Sequence, residues 1–312
     1  MPSSYRPSAP PFTDLASFLG ALRCLYFPSS GSGGAEQAAA HKALQKFQRS
    51  HEAWALCSAV LQQGAAPPAD QALWPTAQLF SAQTLHAKVR RRCLDTLEPE
   101  ERRGLRVFLV QAVPHFAPHR ALSTQLCLAL AALAFRMRAD WAAESILPDL
   151  AAAVRPAAAL LPLLRVLPEQ LGDVALSLAP SRRSEVGAAL RAQGGLIEAQ
   201  LQRALADAAA SAGAGGAASA GSEDALVCAS RVAQVLGAWV ELGSLPLATL
   251  HSSGALQGVL SLLSSALSSD EAAWASPGGA ALCVEAGEML GAVAAKVSCE
   301  AAGPSPDPRR TL

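Results

Sequence analysis

Aromatic residues are scarce in this chain, 5% of 312 positions, although 51% of it is apolar. Ala and Leu carry most of that apolar half. They are strong helix formers, and the Val, Ile, Thr and aromatic content that favours strands is thin, so an all-α fold is expected. Net charge is also missing, with 25 basic and 25 acidic residues, so nothing global points to nucleic acid or an anionic membrane. The balance is uneven along the chain. Residues 1–140 hold 15 Lys/Arg against 9 Asp/Glu, and residues 141–312 hold 10 against 16.

Further absences narrow the function. The seven cysteines (Cys24, Cys57, Cys93, Cys127, Cys228, Cys283 and Cys299) form no CxxC pair and no His/Cys cluster at metal-ligand spacing. Most of them read as small buried helix residues in a reducing compartment. The opening MPSSYRPSAPPF lacks the apolar core of a secretory signal. The most apolar windows, 121–135 and 146–171, are short or broken by Asp149, Arg155 and prolines, so neither offers the roughly 20 clean residues of a membrane span. The chain has no Gly-x-Ser-x-Gly elbow, no GxxxxGK[ST] loop and no dinucleotide glycine fingerprint after a strand. His115 and His119 are four apart but flanked by Pro114 and Pro118, which opposes a helical metal pair. Nothing nominates a nucleophile, a base, a metal or a cofactor.

What is present is helical periodicity. Leu15, Phe18, Leu19, Leu22, Leu25 and Tyr26 share one helix face, and Pro28 with SSGSGG closes that helix. A second helix fits about 35–48. A third opens at Ser50 as N-cap and closes at Gly64. The stretch 74-WPTAQLFSAQTLHAKVRRRC-93 tolerates Pro75 in its first turn and ends in Lys88, Arg90, Arg91 and Arg92. Further helices are expected from Pro99 to about Val113, over 121–138, after Asp140 with Trp141 inside, over 157–167, from Ser181 to about Ala209, from Ser222 to Gly243, and near 247–268 and 279–297. Pairs recur at very roughly 40 to 47 residues, the interval of two-helix HEAT-type repeats. A right-handed α-solenoid of HEAT-type pairs is therefore expected over a plain bundle. The expected organisation is a disordered N-terminus over 1–11, repeats over 12–210, a flexible loop over 211–221, further repeats over 222–297 and a disordered tail over 298–312.

The basic end of 74–93 has three readings: a solvated helix C-terminus that suits the dipole, a surface for a protein partner, and a nucleic-acid helix. No nucleic-acid fold signature or interleaved aromatic supports the third. Arg182 with Arg183 reads as another solvated basic cluster.

The run 44-LQKFQRSHEAWALCSAVLQQ-63, followed by 77-AQLFSAQTLHAKV-89, resembles the opening repeats of importin-β-type nuclear transport receptors, in particular the transportin-SR and importin-thirteen branch. Further matching stretches are 125-QLCLALAALAFRM-137, 160-LLPLLRVLPEQL-171, 181-SRRSEV-186 and 236-LGAWVELG-243, in the order that branch shows. The resemblance implies a HEAT superhelix that shuttles between cytoplasm and nucleus. It also implies opening repeats that engage the Ran GTPase in its GTP form, cargo proteins that include Arg/Ser-rich splicing factors, and contacts with nucleoporins; it implies no direct nucleic acid and no membrane. Members of that family continue through many more repeats, and the cargo-reading part lies there. A fragment, an incomplete gene model and a shortened form that binds Ran without cargo all fit this sequence. Helix geometry with the resemblance makes 74–93 an inner helix of the second repeat, with Gln83, Lys88 and Arg91 facing a partner, and Lys42, Gln45 and Arg49 as their equivalents on the preceding inner helix. A HEAT scaffold without Ran contact, and a helical enzyme with unrecognised catalytic groups, stay open beside the transport reading.

Overall fold

The computed structural model describes residues 12, 14–27, 34–91, 93–214, 220–246, 250–268 and 276–301. Among them it has helices and no strand. In chain order these are α1 (Leu15–Tyr26), α2 (Gly34–Arg49), α3 (Ala53–Gln62), α4 (Trp74–Arg90), α5 (Pro99–His115), α6 (Arg120–Arg136), α7 (Ile146–Ala153), α8 (Ala157–Gly172), α9 (Pro180–Arg191), α10 (Gly194–Ala214), α11 (Ala220–Leu242), α12 (Gly254–Ser268) and α13 (Pro277–Ala301). The fold class is that of an all-α HEAT-type solenoid. The chain divides into two compact units, residues 1–133 and 134–312.

In the first unit, aromatics scarce elsewhere gather at the opening helices. Phe12, Phe47 of α2 and Phe80 of α4 each meet Phe18 of α1, and Phe12 also meets Phe47, with ring centroids 5.2 to 6.0 Å apart and tilted or edge-on, the arrangement aromatic quadrupoles prefer. Asp14 caps α1 by accepting from the Ser17 amide at 2.7 Å. Helix α5 opens on a reciprocal capping box between Glu98 and Glu101, with Pro99 in its first turn.

In the second unit, later helices are tied to earlier ones through their ends. Helix N-termini carry unpaired N–H groups and partial positive charge. Glu198 of α10 accepts from the Ala255 amide at 2.9 Å and from Ser253 Oγ at 2.9 Å, at the start of α12. Glu223 of α11 accepts from the Gly278 amide at 2.6 Å, at the start of α13. Helix C-termini attract the opposite sign. Lys296 of α13 donates to the Val240 carbonyl at 2.7 Å, near the end of α11. Gly243 ends α11 at φ +84°, a left-handed position that glycine adopts without strain.

Several boundaries differ from the sequence reading. Helix α3 starts at Ala53 with Glu52 at its N-cap, two residues beyond the expected Ser50 cap. Trp141 stands ahead of α7, buried, with its indole nitrogen donating to Asp149 at 2.9 Å. Proline does not end α5 or α8: Pro114 lies inside the first, and Pro168, just past the expected end at 167, inside the second. The single helix expected over 181–209 is broken into α9 and α10. A Cβ at Gly194 would stand 2.2 Å from the Ser244 carbonyl oxygen, so only glycine admits that backbone where α10 begins. Helix also occupies 211–214 and 220–221 of the expected loop and continues through Ala301 into the expected tail. The expected disorder over 1–11 and 302–312 lies outside the described residues. Within α11, Glu223–Leu242 is long and apolar enough to cross a membrane, and 67% of that window is buried in the fold, as in a core helix.

Candidate partner face on α2 and α4

Helix α4 presents two sides. Ala77, Phe80, Ser81, Ala82, Thr84, Leu85 and Val89 are buried, while Gln83 and, capping the helix just past its end, Arg91 are exposed. On α2, Leu44 and Phe47 are buried, and Lys42, Gln45 and Arg49 are exposed. The two helices are registered by a hydrogen bond from Gln48 Nε2 to Thr84 Oγ1 at 3.4 Å. The next link is between His86 Nδ1 and Gln125 Oε1 of α6, 3.2 Å apart. Gln45 Nε2 lies 3.2 Å from His41 Nε2 one turn back on its own helix. Five of the six positions expected to face a partner are thus accessible, on two helices that are hydrogen-bonded to each other.

Lys88 is not among them. It is 3% exposed, its ammonium donates to the Ser50 carbonyl at 2.6 Å, and it lies 4.7 Å from the centre of the Trp54 ring. Ser50 directly follows α2, so the lysine supplies positive charge and a donor where that helix leaves its last carbonyls unpaired. The indole face completes its surroundings. A partner cannot reach this ammonium in the folded chain, which corrects its place in the expected set. The sequence signal was ambiguous because Lys88 is one turn from the exposed Arg91 and shares its charge.

The same site bears on two neighbours. Burial pushes the Cys57 thiol, on α3 behind Lys88, up to about 12. The Glu52 carboxyl is held below its ordinary range, chiefly by hydrogen bonding from its own backbone amide, with the positive charge of Lys88 a smaller cause.

The other stretches that carried the resemblance meet in comparable ways. Arg182, expected on a solvated face, is 4% exposed. Its guanidinium donates to the carbonyls of Phe135 at 3.0 Å and Trp141 at 2.8 Å, and to Glu185 at 3.0 Å. Arg183 donates to the Leu171 carbonyl and, at 3.1 Å, to that of Asp173, at the end of α8. Trp239 of α11 donates its indole N–H to the Leu164 carbonyl at 2.8 Å. That carbonyl lies one helical turn before Pro168, which has no N–H to offer it. Each matching stretch therefore supplies either an orphaned carbonyl or the donor that satisfies one.

A cavity of about 730 Å³ in the second unit lies among α8, α9 and α11 and brings Arg183 and Arg191 near Glu169 and Glu241. Its lining includes Ser184 but no histidine, so no hydroxyl and imidazole pair stands there. Among the described residues, no group of three or more His, Cys, Asp or Glu is placed to hold a metal ion.

Helix pairs held end to end in this way define a repeat protein whose exposed polar positions are available for binding. Comparison with known families gives that class a lineage. Residues 40–115 match the importin-beta N-terminal domain, covering most of α2 through α5. Residues 119–275, half of the chain, match the family described as Exportin 1-like protein. The chain belongs to this importin-β/exportin family of karyopherin-type transport receptors. No curated protein matches it.

Proposed function

We propose that the chain is a nuclear import receptor, or the N-terminal portion of one, and that it binds Ran in its GTP form through the exposed side of α2 and α4. The observation that carries this reading is a coincidence of position. The match to the importin-beta N-terminal domain falls on 40–115, and Lys42, Gln45, Arg49, Gln83 and Arg91 all lie within it and are exposed. Three of the five are cations, so the face suits an acidic patch on a globular protein partner. The receptor would shuttle between cytoplasm and nucleus, contact nucleoporins and carry proteins with Arg/Ser-rich segments, as the transportin-SR resemblance implies. Its work is binding rather than catalysis.

The test is binding of the chain to purified Ran loaded with a non-hydrolysable GTP analogue, beside Ran loaded with GDP. The expected result is a preference for the GTP form that Arg49→Glu with Arg91→Glu abolishes while the melting temperature stays unchanged. Equal affinity for both nucleotide states, or binding indifferent to the double variant, would overturn the assignment of this face.

A further inference from the structure

Helix α12 carries no charged residue. Ala255, Val259 and Ala266 are its buried side. Next to them run Leu256, Leu260, Leu263 and Leu267, which at about 100° per residue fall within a stripe roughly 60° wide. Leu260 and Leu267 are 37% and 58% exposed. Leu256 and Leu263 are half-buried. The side of the helix away from this stripe is closed by α10: a Cβ at Gly258 would stand 2.9 Å from Leu205, and one at Gly254 would stand 2.7 Å from the Gln202 amide. Helix α13 packs on α12 and leaves Val284, Leu290 and Val297 exposed as well, at 59%, 44% and 49%.

The leucine spacing selects the occupant. Steps of four, three and four residues read the same in both directions, and they are also the steps of a coiled-coil seam. We propose that α12 pairs antiparallel with α12 of a second copy of this chain, about a two-fold axis that crosses the helix between Ser261 and Leu262. Leu256 of one copy then meets Leu267 of the other, and Leu260 meets Leu263, twice each, as an isologous contact requires. Ser264 flanks the seam with a small side chain that lets the helices approach. Charge makes the same choice. A charged partner surface would lose water against α12 without gaining an ion pair, whereas a second α12 brings no charge to desolvate. The seam is short against the roughly 800 Å² per partner of a standard interface, so the dimer is weak and reversible.

Sedimentation velocity of the full chain over about 1 to 100 µM, the range suited to a seam of this size, tests the pairing. The mass should rise with concentration from 32.1 kDa towards twice that value. Leu260→Glu with Leu267→Glu should weaken self-association by about 100-fold or more, because each glutamate would be buried without a partner. Circular dichroism checks that this variant is folded. Register is read separately by oxidative crosslinking of mixed single-cysteine variants: Leu260→Cys with Leu263→Cys should crosslink, and Leu260→Cys with Leu256→Cys should not. A chain that stays monomeric throughout, an association that survives the glutamates in a folded variant, or crosslinks that ignore the register would each overturn the proposal. So would an α12 that takes up only helices of another protein. If the glutamate variant does not fold, the cysteine pairs decide.

Discussion

Lys88 shows how little a residue's chemistry says until its neighbours are known. Its ammonium completes the end of α2, so its loss is a stability event. Lys88→Met should destabilise the chain by about 2 kcal/mol, the cost of leaving the Ser50 carbonyl buried without a donor. Arg91→Glu, on the exposed side, should stay within about 0.5 kcal/mol. Chemical denaturation of the two variants side by side checks this contrast. Reactivity should sort the thiols similarly. Cys57 and Cys228 are buried, with thiols pushed up to about 12 and about 11. Iodoacetamide should therefore reach them only as fast as the chain unfolds, whereas the half-buried Cys24 and Cys283 are modified in the native state. Mass spectrometry after timed labelling reads both rates. The depressed carboxyl of Glu52 has a pH signature. Its stabilising contribution is complete above the ordinary value of 4.5 and is lost as pH falls through the lowered one. Glu52→Gln should accordingly flatten the acid limb of the stability profile, slightly, since the group is largely exposed.

At the scale of the helices, Pro168 and Trp239 form a matched pair. The proline withholds a backbone donor from Leu164, and the indole of α11 provides one. Trp239→Phe should cost about 1 to 3 kcal/mol in the native background. In a Pro168→Ala background the restored amide competes for the same carbonyl, so the cost should shrink; a double-mutant cycle by denaturation measures the difference. Equal costs in both backgrounds would refute the pairing. The same physics separates what could be read in the sequence from what could not. Helix α1 was legible to its ends, because its stripe and the break after Tyr26 are local features. The break between α9 and α10 was legible only in part: Gly194 and Gly195 mark it locally, but the close approach of the Ser244 carbonyl that requires glycine at 194 comes from some fifty residues away. Pro114 and Pro168 stand just past the expected ends of α5 and α8 yet lie inside them for a related reason: tertiary donors and packing sustain a helix that propensity alone would end.

Across the whole molecule, charge is distributed so that excess positive residues lie within 1–140 and excess negative ones beyond. A partner held by α2 and α4 should thus show steered association. Raising salt from about 50 to 300 mM should slow association with GTP-loaded Ran by roughly tenfold and change dissociation little. Stopped-flow measurements at the two salt concentrations check it. The fold class and the stretches marking the family were legible in the sequence, since helical period and ordered motifs need no coordinates. The roles of those motifs were not. Lys88, Arg182 and Trp239 engage carbonyls of residues some 40 to 75 positions away, and no one-dimensional pattern distinguishes a cation that seals a helix end from one that greets a partner. The sealed helix ends also limit later modification of the protein. The chain has four lysines, Lys42, Lys46, Lys88 and Lys296. Two of them donate to backbone carbonyls at helix ends, and the two that stand exposed are both on α2. Acetylation, ubiquitin attachment or an amine-reactive crosslinker acting on lysines of the folded chain would therefore be directed to that single helix.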